Sequence, residues 1–120
     1  MSQVKTIGFL LRTGPYTSQN VDTCYNLVKR LLARGHKVKM FFYEDATINL
    51  KSQISSPQER NIAEMMAELA AAGAEIKACG TCAKFRGIKR ADIIENTKLG
   101  GMAVLVNYAN DCDRFLSFGF

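Results

Sequence analysis

Two cysteines separated by two residues, Cys79 and Cys82, are the side chains of this sequence best suited to chemistry. They stand in AEIKACGTCAKFRGIKR, residues 74–90, among five basic residues (Lys77, Lys84, Arg86, Lys89 and Arg90). The only acid of that stretch is Glu75, at its near end. Thiols react and ligate metals as thiolates, and neighbouring cations favour that form. The spacing fits three kinds of chemistry: half of a tetrahedral zinc site, a reversible disulfide, and a nucleophilic or sulfur-carrying cysteine. A zinc site normally needs a second pair at similar spacing. Here Cys24, Cys112 and the lone His36 are each isolated, so neither a metal nor another cofactor is expected. A thioredoxin-type dithiol follows an early strand and faces a cis-proline. This pair lies two-thirds of the way along the chain, and the only prolines are Pro15 and Pro57. The bland reading is that both cysteines are small buried hydrophobes and the basic residues are solvated surface.

The elements that would position these thiols can be read from apolar patterning. TIGFLL (residues 6–11) reads as a buried strand, followed by a loop, Thr13-Gly14-Pro15-Tyr16-Thr17. Residues 20–34 show helical spacing, with Val21, Cys24, Tyr25, Val28, Leu31 and Leu32 on one face and Gly35 as the stop. KVKMFFY (37–43) is a second strand, and residues 44–55 form a long connection with room for a short helix. Ser56-Pro57-Gln58-Glu59 carries a capping box with proline at the first helical position, so a helix is expected from there to Gly73. Its apolar face is Ile62, Met65, Met66, Leu69 and Ala70. Residues 75–78 form a third strand that delivers Cys79 at its carboxyl end, and residues 81–85 fit one turn of helix. An irregular strand over 88–94, a helix over 99–110 and a closing strand over 114–118 complete the reading. The expected inner face of that last helix is Leu99, Met102, Leu105, Val106 and Ala109.

Such alternation implies an α/β protein whose mostly parallel sheet of about five strands is covered on both faces. Sites in these folds lie beyond the carboxyl ends of the strands. Cys79 and the Thr13–Thr17 loop should therefore share one side of the molecule, with Tyr16 and Thr17 lining the cleft of Cys79. The 120 residues fit one domain, 1–120, and 48% hydrophobic residues suffice for a core without disulfides. The net charge of +5 is concentrated beside the cysteines. Only Phe85 is interleaved with the basic residues there, so a thiol or an anionic partner is favoured over nucleic acid. The longest early apolar run, residues 7–11, is too short for a signal core or a membrane span. A cytoplasmic protein with free thiols is expected.

The pattern CGTCAKFRGI, with Cys79 at a strand end and Arg86-Gly87-Ile88 seven residues on, resembles the DsrE/DsrF-like (TusD-related) sulfur-relay family. The similarity extends over GPYTSQNVDTCYNLVKRLLARGHKVKMFFYEDAT and the closing DRFLSF, and so covers nearly the whole chain. It implies a flavodoxin-like three-layer sandwich, assembly as a homotrimer or homohexamer, and a persulfide-carrying cysteine that serves donor and acceptor proteins. Cys79 occupies the carrier position, while Cys82 departs from the TusD-like pattern. By this resemblance Lys84 and Arg86 would stabilise a thiolate or persulfide anion, and Gly80 and Gly87 would permit tight geometry. The alternative is a dithiol–disulfide redox protein using Cys79 and Cys82. Oligomerisation also finds support in the apolar C-terminal residues Phe115, Phe118 and Phe120.

Overall fold

The computed structural model describes residues 3–57 and 60–119. Strands β1 (Thr6–Leu11), β2 (Lys37–Phe42), β3 (Glu75–Cys79), β4 (Thr97–Gly100) and β5 (Arg114–Phe118) alternate with helices. The helices are α1 (Asn20–Ala33), α2 (Ile62–Ala71), α3 (Gly80–Phe85) and α4 (Met102–Asp111). Two 3-10 helices, Glu44–Leu50 and Arg90–Asp92, occupy connections. All strand pairs are parallel, in the order β4-β3-β2-β1-β5. The layers are those expected for a flavodoxin-like sandwich, although flavodoxin itself orders its strands 2-1-3-4-5.

That order decides which helix covers which face. The chain steps outward from β1 to β4, then returns past β1 to place β5. Right-handed crossovers put the helices of the outward steps and the helix of the return step on opposite faces. Accordingly α1 and α2 share the main core with Ile7, Phe9, Leu11, Val38, Met40, Phe42 and Ile76. The alternate strand residues face α4, where Phe41, Cys79, Cys82 and Tyr108 form a second, smaller cluster.

The face of α1 is the one its spacing predicts: Val21, Cys24 and Val28 are buried, and Tyr25, Leu31 and Leu32 are packed against the core. Gly35 ends the helix with φ +85°. Its N–H reaches the Leu32 carbonyl at 3.0 Å, and the His36 N–H reaches Leu31 at 3.1 Å. That paired closure needs a left-handed residue, which glycine supplies without strain.

Three expectations are corrected. First, α2 begins at Ile62, where the Asn61 side chain accepts the Glu64 N–H at 3.0 Å. Asn61 thus does the capping expected of Ser56, while Gln58 and Glu59 of the expected capping box lie outside the described residues. Second, residues 88–94 are not a strand. Ile88 and Ile94 are buried plugs, the charged residues between them form the Arg90–Asp92 turn, and only Ile93 pairs, with Lys51. The edge of β3 is taken instead by Thr97–Gly100, which places Leu99 in a strand. Third, α4 turns Tyr108, Leu105 and Val104 inward and leaves Met102, Val106 and Ala109 exposed. Tyr108 wins the inner position because its ring packs in the small cluster while its hydroxyl bonds to Glu75.

Where β1 passes beneath α4 and β5, Gly8 leaves no spare room. A Cβ there would lie 2.5 Å from the Phe115 ring and 2.8 Å from Cys112 Sγ. Gly8→Val should therefore cost about 1–3 kcal/mol by overpacking. The cost should shrink when Phe115→Leu is added. Thermal melts of the single and double variants check this, and equal costs in both backgrounds would refute the contact.

Candidate functional site

Cys79 is the last residue of β3 and caps α3, with 3% of its surface exposed. Its sulfur accepts the backbone N–H of Cys82 at 3.4 Å. Cys82 lies one turn on, 8% exposed, in the same cluster. The helix that holds them is short because Gly87, at φ +67°, closes it. The Gly87 N–H bonds to the Lys84 carbonyl at 3.1 Å, and the Ile88 N–H bonds to Ala83 at 2.9 Å. The buried Ile88 then anchors the exit.

The rim around the thiols is built from charges that leave neighbouring strands. Arg86 donates through Nε to Asp45 Oδ1 at 2.9 Å and through Nη1 to the Cys82 carbonyl at 2.9 Å, and its Nη2 lies 2.8 Å from Asp45. Beside it, Arg12 from the end of β1 pairs with Glu44 at 2.6 Å. These four side chains line a cleft of ≈ 170 Å³. Glu44 has φ +54°, an uncommon left-handed turn for a residue with a side chain. Its backbone opposes the rise of the Cys82 thiol.

The field on the pair is uneven. Burial, and then the neighbouring Cys79 sulfur, push the Cys82 thiol above its ordinary value, against the Glu44 backbone and the charge of Arg86. Burial thus opposes ionisation of the Cys82 thiol. Cys24 is pushed up to about 12 by burial in the main core, so it is an inert small hydrophobe. Cys112 sits beside Gly8, whose register partner across β2 is Glu75. That level lies four residues before Cys79, roughly 13 Å along the strand at about 3.3 Å per residue. Cys112 therefore belongs to the opposite end of the sheet. Among the described residues, no group of three or more His, Cys, Asp or Glu could hold a metal.

The other sequence-derived residues divide by position. Thr17 lines a second cleft, of ≈ 550 Å³, with Gly14, Pro15, Asp45 and Ile48, and its hydroxyl donates to the Gly14 carbonyl at 3.0 Å. Asp45 is the wall common to both clefts, and neither cleft is lined by Cys79 or Cys82. Tyr16 turns toward α2, donating to the Arg60 carbonyl and accepting the Ile62 N–H, both at 3.0 Å. Lys84 is exposed on α3. At Gly80 an added Cβ would meet only ordinary contacts, the nearest at 3.7 Å. Arg12, Glu44 and Asp45 were not singled out by sequence. Their one signal is position: charged residues directly after the carboxyl ends of β1 and β2.

A sequence profile of the DsrE/DsrF-like family matches residues 5–118. The DsrE protein of Allochromatium vinosum is 30% identical, the match covering 91% of this chain and 95% of that one. The sulfurtransferase TusD of Erwinia tasmaniensis is 29% identical over 91% of this chain and 97% of its own. Among solved structures, the ychN protein of E. coli superposes with a TM-score of 0.89 at 23% identity. That match covers 96% of this chain and all of the other, and it shows the fold.

The causes acting on Cys82 give signed expectations. Alkylation of Cys82 should rise with pH through a midpoint above that of a free thiol, about 8.5. Removing Cys79, which raises the value, should lower the midpoint in Cys79→Ser. Removing the Arg86 charge should raise it in Arg86→Gln. Peptide-resolved rates of iodoacetamide labelling against pH check both directions, and a shift of the wrong sign in either variant would refute the assignment.

Proposed function

The chain belongs to the DsrE/DsrF-like family, and from that premise we propose that it is a sulfur-relay protein whose Cys79 carries sulfane sulfur as a persulfide. The Cys79 thiolate attacks the outer sulfur of a donor persulfide. The donor S–S bond breaks, the donor leaves as a thiolate, and Cys79-S-SH forms. An acceptor thiolate then attacks that outer sulfur and releases Cys79. The observation that carries this reading is the place of Cys79 at the end of β3, with its sulfur accepting the Cys82 N–H inside an apolar cluster. Limited access protects a persulfide from stray thiols, and the hydrogen bond suits a sulfur anion. Arg86 is the cation held closest to the pair, with Asp45 fixing its direction.

Cys82 supports a second outcome at the same site. When deprotonated, it can attack the inner sulfur of Cys79-S-SH, expelling hydrosulfide and leaving a Cys79–Cys82 disulfide. The two thiols are oxidised, the sulfane sulfur is reduced, and an external thiol must reset the pair. What favours this possibility is the direct influence of the Cys79 sulfur on Cys82. The setting proposed is the cytoplasm, where thiols remain reduced. No described helix is long and apolar enough to cross a membrane.

Homo-oligomeric assembly belongs to the proposal, with its surface relocated. Phe118 stacks on Phe9 at 6.1 Å, Phe115 packs under α4, and Phe120 lies outside the described residues. Two exposed apolar residues, Met102 and Val106, share α4 and are the surface proposed instead.

Incubation with a persulfide donor should add one sulfur mass to the Cys79 peptide and none in Cys79→Ser. Persulfide surviving in that variant would refute the carrier assignment. Cys82→Ser should retain the loaded persulfide longer and release less sulfide; if it abolishes loading as fully as Cys79→Ser, the redox reading replaces the carrier. In sedimentation velocity at micromolar concentration, Val106→Glu should shift the wild-type oligomer toward smaller species, and a monomeric wild type would overturn the assembly.

A further inference from the structure

The C-terminal end of α3 carries a feature that the thiol chemistry does not use. Phe85 is 82% exposed, although its helix neighbours Cys82 and Ala83 are buried. It lies six residues beyond Cys79, about 9 Å along the helix at 1.5 Å per residue. Lys84 beside it on α3, and Lys89, Arg90 and Lys98 in the turn and strand that follow, are all exposed, as is one acid of that segment, Glu95. None of the four cations has an ion pair among the described residues. The acid nearest in sequence, Asp92, accepts the Lys89 N–H at 2.8 Å. Arg90 and Lys98 line one cleft of ≈ 340 Å³ with Thr97 and Leu99, which joins the 3-10 turn to β4 in a single surface.

We propose that this face, formed by the end of α3, the Arg90–Asp92 turn and β4, docks an acidic protein partner that receives Phe85 in an apolar pocket. In the sulfur-relay reading, on which the role of this docking rests, it is the face by which a donor or acceptor meets Cys79. Four cations without ion pairs, on the segments that follow one exposed apolar anchor, call for acidic groups arranged about a hydrophobic recess. A second copy meeting this face through a two-fold contact would bring the same cations together, which disfavours self-association here. Single-stranded nucleic acid is bound by charged grooves with several stacking aromatics, and this face carries one.

Amide NMR of the labelled protein tests the proposal with a peptide of alternating glutamate and leucine. Matched lysine–leucine and glutamate–serine peptides and an oligoribonucleotide of equal charge serve as controls. The glutamate–leucine peptide should shift residues 84–90 and 97–99 and bind tightest of the four probes. Binding should weaken about fivefold or more in Lys84→Glu/Lys89→Glu and at high salt, where charge attraction is screened. Phe85→Ser should weaken it too without changing the melting temperature or the sedimentation coefficient, since the side chain packs little in the free protein. Shifts centred elsewhere, equal or tighter binding of a control peptide, or tighter binding of the oligoribonucleotide would overturn the proposal. A smaller sedimentation coefficient in Phe85→Ser would overturn it as well, by assigning Phe85 to a contact between copies. Persulfide loading from a small-molecule donor, measured in parallel, separates the two readings. Loading without peptide preference defeats the docking face alone, and peptide binding without loading defeats the carrier alone.

Discussion

The parallel register of β2 against β3 is the constraint from which the rest of the site follows. Phe42 lies opposite Ala78, so the chain leaving β2 and the residue Cys79 reach the same edge of the sheet together. Glu44 and Asp45 are thereby set beside the first turn of α3. A slip of one residue would turn Cys79 to the other face of the sheet, into the main core. The pairing is held by buried side chains on both faces, Met40, Phe42 and Ile76 on one and Phe41 on the other. The chemistry thus depends on a core that is not itself reactive.

The two faces of the sheet are built unequally. Two helices cover one side with a continuous apolar cluster. On the other, α4 alone packs over Phe41 and Tyr108, and the strands beside it carry Lys39, Glu75 and Lys77. The Tyr108 hydroxyl bonds to Glu75, and Lys39 Nζ stands 5.5 Å from the centre of the Tyr108 ring. Burial, and then the Glu75 carboxylate, keep the tyrosine well above its ordinary ionisation range, so it remains a donor. The thiols are drawn into the edge of this smaller cluster, where apolar walls meet the charged rim.

Within the pair, geometry breaks the symmetry of the spacing. Cys79 ends a strand and receives a backbone hydrogen bond, whereas Cys82 is one turn inside a helix. Arg86 is held by Asp45, from the connection after β2, and by the Cys82 carbonyl, and its charge opposes the rise of the Cys82 thiol. A sequence pattern that looks symmetric becomes one sulfur that receives a backbone hydrogen bond and one thiol whose ionisation burial opposes.

Much of this was legible in the amino-acid sequence, because apolar periodicity and glycine stops are local. Residues 6–11, 20–33, 37–42 and 114–118 fold as their spacing predicts, and Cys79 emerges at a strand end. Local signals misled where tertiary contacts competed. Ser56-Pro57 carried start signals, yet α2 begins at Ile62, capped by the Asn61 side chain. The charged residues between Ile88 and Ile94 turn instead of pairing, and α4 presents Tyr108 inward because Glu75 waits for its hydroxyl. The partners of the thiols were hidden for the same reason. Arg12, Glu44 and Asp45 lie 34 or more residues before Cys79. No local pattern marks a left-handed glutamate on the cleft wall or an aspartate that aims an arginine. By itself the sequence determined most of the elements, the fold class and the place of Cys79 at a strand end. Only the tertiary structure decided which charges meet them, because strand order and register bring together residues that are distant along the chain.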